Sequence, residues 1–356
     1  MELGRRAFDL DGQAVTDGEV LAAAFLAGTL APVLQRVDDG LVAESLAAEQ
    51  AIEIDSEVLQ DAFDEWRIER DLIAAQELED WLADRGLDLD ELQEHVERTL
   101  LRSRCGARIA GCRDRFAPSR EQVLSGAARE ASFSGDLGEL IDEQALRLLA
   151  PAASGGERAA ANESLLAEAG LADATAWAET AARFGVTGVR AAWLLEREAD
   201  FRVHRRELLS AETLEKALAR QRNDLVRFDV VSANLPTEDA AREVLCCIRI
   251  DRDGFKRAAA RAGVPCRSQT LFPNDLEDVP YGNRLASVRR LELFGPLEVD
   301  DDHHVVAQLL ERHEPELDVP DVRKRLERRV LDRALRPALA ERVRFALESD
   351  SWSEDD

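Results

Sequence analysis

Phe228-Asp-Val-Val-Ser-Ala-Asn-Leu-Pro-Thr-Glu-Asp-Ala-Ala241 and Phe294-Gly-Pro-Leu-Glu-Val-Asp-Asp-Asp-His-His-Val-Val-Ala-Gln-Leu309 are the two stretches whose reading decides the fold. In the first, a β-branched run ahead of Pro236 reads as a strand over 226–234. Thr237, followed by two acids, caps a helix over Glu238–Arg249. Asp253-Gly254 then turns the chain into a second short helix, 255–262. Polar, irregular sequence over 263–283 precedes a bulky helical segment, 285–293. Gly295-Pro296 introduces a closing strand over 303–310. Two strands around short helices make an α+β unit of about 90 residues, 226–315.

Outside that unit the chain reads as helix. Of its 356 residues 45% are apolar but only 5% aromatic, and Ala, Leu, Arg and Glu, all strong helix formers, dominate. The fold class expected is therefore α+β, predominantly α-helical. A hairpin turning at Asp11-Gly12 opens the chain, and Thr16 with Glu19 forms a capping box for the first helix. A second helix is expected over roughly 38–51. An apolar stripe through Val58, Leu59, Ala62, Phe63, Trp66 and Ile68 marks the third. A short helix ends at Gly86 as a left-handed cap, and Asp88 with Glu91 caps the next. These elements make an N-terminal helical domain, 1–112. A second helical segment, 113–205, follows. Its Trp177, Phe184-Gly185-Val186 and Trp193 faintly echo Trp81, Arg85-Gly86-Leu87 and the helix after it, the pattern of a degenerate repeat. A connecting helix (206–225) leads to the α+β unit. After Pro320 an amphipathic helix over 321–345, with nine Arg or Lys against four acids, returns to the helical body as part of segment 316–347. An acidic tail, 348–356, is expected to be disordered.

The formal net charge is -26, from 72 acids against 46 bases. Such a field disfavours nucleic acid as a partner, because that binding needs phosphates neutralised. No run of 18 apolar residues suggests a membrane span, and the acids among the first 30 residues are unlike a signal peptide; the cytoplasm is the expected compartment. Five cysteines without regular spacing suggest neither a disulfide framework nor a zinc site. No Gly-rich phosphate loop, Ser–His–Asp order or His-Glu-x-x-His motif is present. No cofactor and no metal are expected: Asp300-Asp-Asp-His303-His304 has ligand-type residues, but neighbours on a strand point to opposite faces. His95, His204 and His313 read as surface residues among charges. Trp66 and Trp81 read either as core or as a groove for a peptide side chain.

Residues 226–315 resemble the parvulin family of prolyl isomerases. Glu238-Asp-Ala-Ala stands where that family has its first helix, and Phe255-x-x-x-Ala259 where it has its second. Cys266-Arg267-Ser268 matches the loop that carries its cysteine, and Pro296, Val299 and His304-Val-Val match the closing turn and strand. The chain departs from the pattern in four ways, one being that the family's central Gly-Gly-x-Leu-Gly segment is absent. Ser232, or in another register Asp229, replaces the opening histidine; Val299 replaces a threonine; Asp302 replaces a glycine. The Asp9-Leu-Asp-Gly-Gln-Ala-Val-Thr16 opening and Asp64-Glu-Trp-Arg67…Glu79-Asp-Trp-Leu-Ala-Asp-Arg-Gly-Leu-Asp-Leu-Asp-Glu-Leu92 resemble the SurA-like helical chaperone domain that accompanies such isomerases, in a cytoplasmic subgroup associated with the maturation of ribosomally made peptides.

The resemblance implies a small degenerate parvulin-like domain beside a SurA-like chaperone domain. It implies an unfolded protein or peptide client, with modifying enzymes as further partners. Rotation about a prolyl bond meets a barrier near 20 kcal/mol and needs no cofactor. It needs a water-poor cup for the ring and polar groups beside the twisted amide. By the resemblance Cys266, His304 and Ser232 are the candidate catalytic groups, with Cys266 and His304 facing each other. Leu285, Leu291, Leu293, Phe294 and Val299 are the candidate substrate-binding residues. A polar network with two of its members replaced suits a fold that holds peptides better than a fast isomerase. An active isomerase and a purely structural adaptor are the alternatives, and an enzyme using Cys266 as nucleophile with His304 is a third.

Overall fold

The computed structural model describes residues 3–277, 279–285, 289–300 and 303–346. The chain is α+β and predominantly helical, with two small antiparallel sheets among the described residues. It divides into two compact units, one of Met1–Glu207 with Arg333–Asp356, the other of Leu208–Asp332.

The first unit opens with β1 (Arg6–Leu10) and β2 (Gln13–Thr16), paired across Asp11 and Gly12. Both turn residues have positive φ, 51° and 81°, as a tight hairpin turn demands. The capping box forms as expected: Glu19 N–H donates to Thr16 Oγ1 at 3.3 Å, and Thr16 N–H donates to Glu19 Oε2 at 3.0 Å. It starts α1 (Asp17–Ala27), which is buried along most of its length. The second helix, α2 (Ala31–Gln50), begins earlier than the expected residue 38, because Pro32 sits in its first turn, where a missing N–H costs nothing.

Next come α3 (Ser56–Ile68), α4 (Ala75–Asp84), α5 (Leu89–Cys105), α6 (Arg108–Cys112), α7 (Arg120–Ser134) and α8 (Asp136–Arg147). The unit continues with α9 (Gly155–Glu168), α10 (Ala174–Ala182) and α11 (Gly188–Leu208). The echo between the two helical segments has a geometric counterpart. Both α4 and α10 end on a left-handed glycine, Gly86 and Gly185, with the following residue's N–H reaching back to Leu82 and Ala181. Packing crosses the expected boundary at residue 112: Phe133 of α7 is buried in one cluster with Trp66, Leu78, Leu82, Leu92 and Val96.

Beside that cluster lies a polar knot. Glu130 accepts from Arg36 Nε at 2.9 Å and Arg102 Nη1 at 3.4 Å, and bonds His95 Nδ1 at 3.1 Å. Burial works to raise this carboxyl, yet His95, Arg102 and Arg36 outweigh it and bring it down to about 2. His95, expected on a solvated face, is buried and stacks on Phe133 with ring centroids 5.1 Å apart. The reason is its position on α5 beside Val96, facing α7. Trp66 belongs to the core, its indole N–H donating to the Phe133 carbonyl at 3.1 Å.

The second unit starts with α12 (Ala211–Arg220) and a 3-10 turn, then β3 (Arg227–Leu235), α13 (Glu238–Arg249) and α14 (Phe255–Arg261). After these come β4 (Arg267–Leu271), α15 (Gly282–Leu285), β5 (Leu293–Asp300), β6 (His303–His313) and α16 (Pro320–Arg342). The sheet is antiparallel in the order β4-β3-β6-β5. Two of its strands differ from expectation. Arg267–Leu271 is a strand within the stretch read as irregular, its polar side chains fitting an edge position beside β3. Leu293–Asp300 is a strand where Gly295-Pro296 suggested only a lead-in; the register slips between Phe294 and Leu297, so the proline sits at the irregularity.

Thr237 caps α13 as expected, accepting from Ala240 N–H at 3.2 Å. Leu214, Leu225 and Phe272 pack with Val322 and Leu326 of α16. That helix stops at Arg342 rather than 345; residues Val343–Phe345 form β7, which pairs with β1 in the first unit's sheet. Residue 347 and the acidic tail 348–356 lie outside the described residues. Among the described residues, no single helix is long and apolar enough to cross a membrane.

Candidate functional site

Alternation along β3 and β6 divides the second unit's side chains between two faces. Val231, Ala233, Leu235 and Val306 pack against α13 and α14. Phe228, Val230, Val305, Ala307 and Leu309 point the other way, onto Leu271, Tyr281, Leu285 and Phe294. Ser232 and Asn234 belong to this second face. There the apolar packing stops short of the sheet's end and leaves an open cleft of about 630 Å³.

Ser232, Asn234, Pro265, Cys266, Arg267, Gln269, Val279, Pro280, Tyr281, Val299, His303 and Val305 line it, with the backbone of Ala233. Its floor is apolar, built from Val305, Tyr281 and two prolines. The polar groups ring the floor. Gln269 donates to the Tyr281 hydroxyl and so fixes the ring that walls one side. Gly295 lies behind the floor with φ 121°; a side chain there would meet the Val305 carbonyl at 2.7 Å, so glycine lets β5 approach β6 closely.

Of the expected catalytic residues, Ser232 and Cys266 are brought together at this cleft and His304 is not. His304 pairs with Leu235 on the helix-covered side, and its Nδ1 is buried without a hydrogen-bond partner. The predicted facing of Cys266 and His304 is thus not formed; His303, not His304, shares the cleft with Cys266. A shift of one residue along a strand moves a side chain to the other face. Asp229, the alternative to Ser232, is engaged elsewhere: it accepts from Thr270 Oγ1 at 2.7 Å and bonds His313 Nε2 at 2.8 Å. Burial works to raise that carboxyl, but Thr270 and His313 hold it below its usual range.

Of the expected substrate-binding residues, Val299 lines the cleft. Leu285 and Phe294 are buried in the core behind it, with the Phe294 and Tyr281 rings 5.7 Å apart. Leu293 packs toward the helix-covered face. Leu291 is exposed in a turn with φ 63°. Tyr281, Val305, Asn234, Gln269 and Arg267 were not foreseen. For Asn234 and Val305 the signal was present, since they follow Ser232 and His303 at intervals of two.

The cleft's chemistry is that of an apolar seat with hydrogen-bonding groups around it. Burial pushes the Cys266 thiol up, the charge of Lys256 opposing only in part, the opposite of the shift that activates a cysteine nucleophile. Among the described residues no three His, Cys, Asp or Glu side chains gather as metal ligands. Asp301 and Asp302, the middle of the acidic run before His303, lie outside the described residues. No family model matches the chain, and no curated protein sequence matches it.

Proposed function

We propose that the chain is a peptide-binding, foldase-like chaperone whose α+β unit receives an extended or unfolded segment in the cleft, with prolyl isomerisation weak or absent. The observation that carries this reading is the cleft itself: an apolar floor of Val305, Tyr281, Pro265 and Pro280, ringed by Ser232, Asn234, Gln269 and His303. An apolar pocket with a few convergent polar groups is the ordinary form of a binding site. A proline ring would lie on the floor, and the flanking amides would meet the ring of polar groups. The resemblance to parvulins supports the same placement.

Two features favour holding over fast catalysis. Val299 offers no hydrogen bond to a twisted amide, and His304, the expected partner of Cys266, lies on the far side of the sheet. The upward push of burial on the Cys266 thiol weighs against the reading as a cysteine nucleophile. A cytoplasmic setting belongs to this proposal, and five free thiols suit it. A ribosomally made peptide is the client that the resemblance suggests.

The test is to follow aggregation of a reduced, unfolded polypeptide with and without the protein, and to run a protease-coupled assay on a short proline peptide. Suppressed aggregation with little or no rate acceleration supports the proposal. Absence of protection at equimolar protein would overturn it. Strong acceleration lost in Ser232→Ala would replace it with an active isomerase.

A further inference from the structure

The helical unit carries a second surface, remote in sequence from the cleft. Helix α4 presents Ala75, Leu78, Glu79, Leu82 and Ala83 along one face, at spacings of three and four. Phe63 and Arg67 from α3 form one wall beside it, and Leu87, Asp88 and Leu89 the other. The groove between them measures about 450 Å³, with a floor of leucine side chains. Exposed apolar side chains lie near it in sequence: Leu89 is 53% exposed, and Ile68 at the end of α3 and Ile73 between α3 and α4 are each 67% exposed.

The charge around the groove is one-sided. Residues 55–91 hold fourteen acids and three bases. All three guanidinium groups donate to the protein's own backbone, and two also sit near one acid each, Arg67 by Asp64 at 3.7 Å and Arg70 by Glu69 at 3.6 Å. Arg67 donates to the carbonyls of Leu72 and Ile73. Arg70 donates to those of Trp66 and Phe133, lying 4.2 Å from the Trp66 ring. Arg85 donates to that of Trp81, 4.1 Å from the indole. Most acids stay at the surface: Asp61, Glu65, Asp71, Glu79, Asp84, Asp88 and Asp90 are all exposed. An apolar trough is thereby framed by carboxylates that the local arginines leave largely uncompensated.

We infer that this groove docks a basic amphipathic segment, one whose apolar side chains recur at helical spacing and are flanked by Lys or Arg. Apolar anchors supply burial on the leucine floor, and the flanking cations answer the carboxylates. An acidic segment is repelled by the same frame. The inference stands independently of the cleft in the α+β unit, since no residue is shared.

The test uses the full chain and three labelled eighteen-residue peptides in fluorescence anisotropy. The first has Leu at helical spacing with Lys elsewhere; the second replaces Lys with Glu; the third scrambles the first, keeping its charge but breaking its apolar face. The first is expected to bind at least tenfold more tightly than either of the others and to weaken as salt rises. Leu89→Ser combined with Ala83→Arg alters only exposed positions, and is expected to reduce that binding at least tenfold with the helical circular dichroism unchanged. Equal binding of the scrambled peptide, equal binding of the acidic peptide, or unchanged binding by the double variant would each overturn the inference. So would concentration-dependent dimerisation that the double variant abolishes, which would assign the groove to a second copy of the chain.

Discussion

Glu130 and its partners in the helical unit, and the polar ring of the cleft in the α+β unit, use similar residues to opposite ends. Around Glu130 a histidine and two arginines converge on one buried carboxylate, and the knot ties α2, α5 and α7 together. Around the cleft, Ser232, Asn234 and Arg267 face open space. A polar group spent on neighbours holds a fold; one turned to a cavity is available to a ligand. The two units' histidines differ in exposure as well. His95 is enclosed by Phe133 and Glu130, whereas His303 is exposed where it lines the cleft.

The largest expected effect breaks the first side of this comparison. Glu130→Ala leaves two guanidinium groups and an imidazole without their shared partner, and is expected to cost about 3–5 kcal/mol in urea unfolding. A loss below about 1 kcal/mol would show the knot to be incidental. The same carboxyl sets an acid limit. Its folded-state pKa lies below the unfolded value, so its contribution is full above about 4.5 and is lost as pH falls toward about 2. The amount is on the order of 3 kcal/mol. Unfolding of the wild type and of Glu130→Gln, measured from pH 6 to pH 2, should therefore converge at the acid end.

On the other side, Asn234→Trp adds bulk at an exposed lining position. It should weaken binding of an unfolded proline-rich peptide at least tenfold while changing stability by less than about 0.5 kcal/mol. A smaller, discriminating effect separates the two histidines. His303→Ala should weaken the same binding several-fold, whereas His304→Ala, on the far side of the sheet, should leave it unchanged. Smallest of all, Cys266→Ser should alter peptide binding little. In the wild type, reaction of that thiol with a disulfide reagent should be slower than that of a free cysteine at pH 7, because burial raises its pKa. Fast modification at neutral pH would bring the nucleophile reading back.

What was legible in the sequence was local. The hairpin at Asp11-Gly12, the capping boxes at Thr16 and Asp88, the left-handed Gly86 and the Thr237 cap depend on a few neighbouring residues and appear where expected. What was not legible was pairing. Arg267–Leu271 has no β-branched run of its own and becomes a strand because β3 offers it a partner. His303 and His304 are chemically identical, and only the register of β6 against β3 decides which faces the cleft. His95 looked solvated because its sequence neighbours are charged, but α7 covers it. Ser232, Cys266 and Val299 reach the cleft from three separate segments, whereas Leu285 and Phe294 were needed for the core beneath it.

The central claim is that a peptide sits in the cleft of the α+β unit. Hydrogen exchange followed by mass spectrometry, with and without a saturating unfolded proline-rich peptide, tests it most directly. The account predicts slowed exchange concentrated in 230–235, 265–271 and 303–307, the segments that line or border the cleft, and loss of that protection in Asn234→Trp. Protection confined to other segments, or none at a concentration where the peptide is bound, would contradict it.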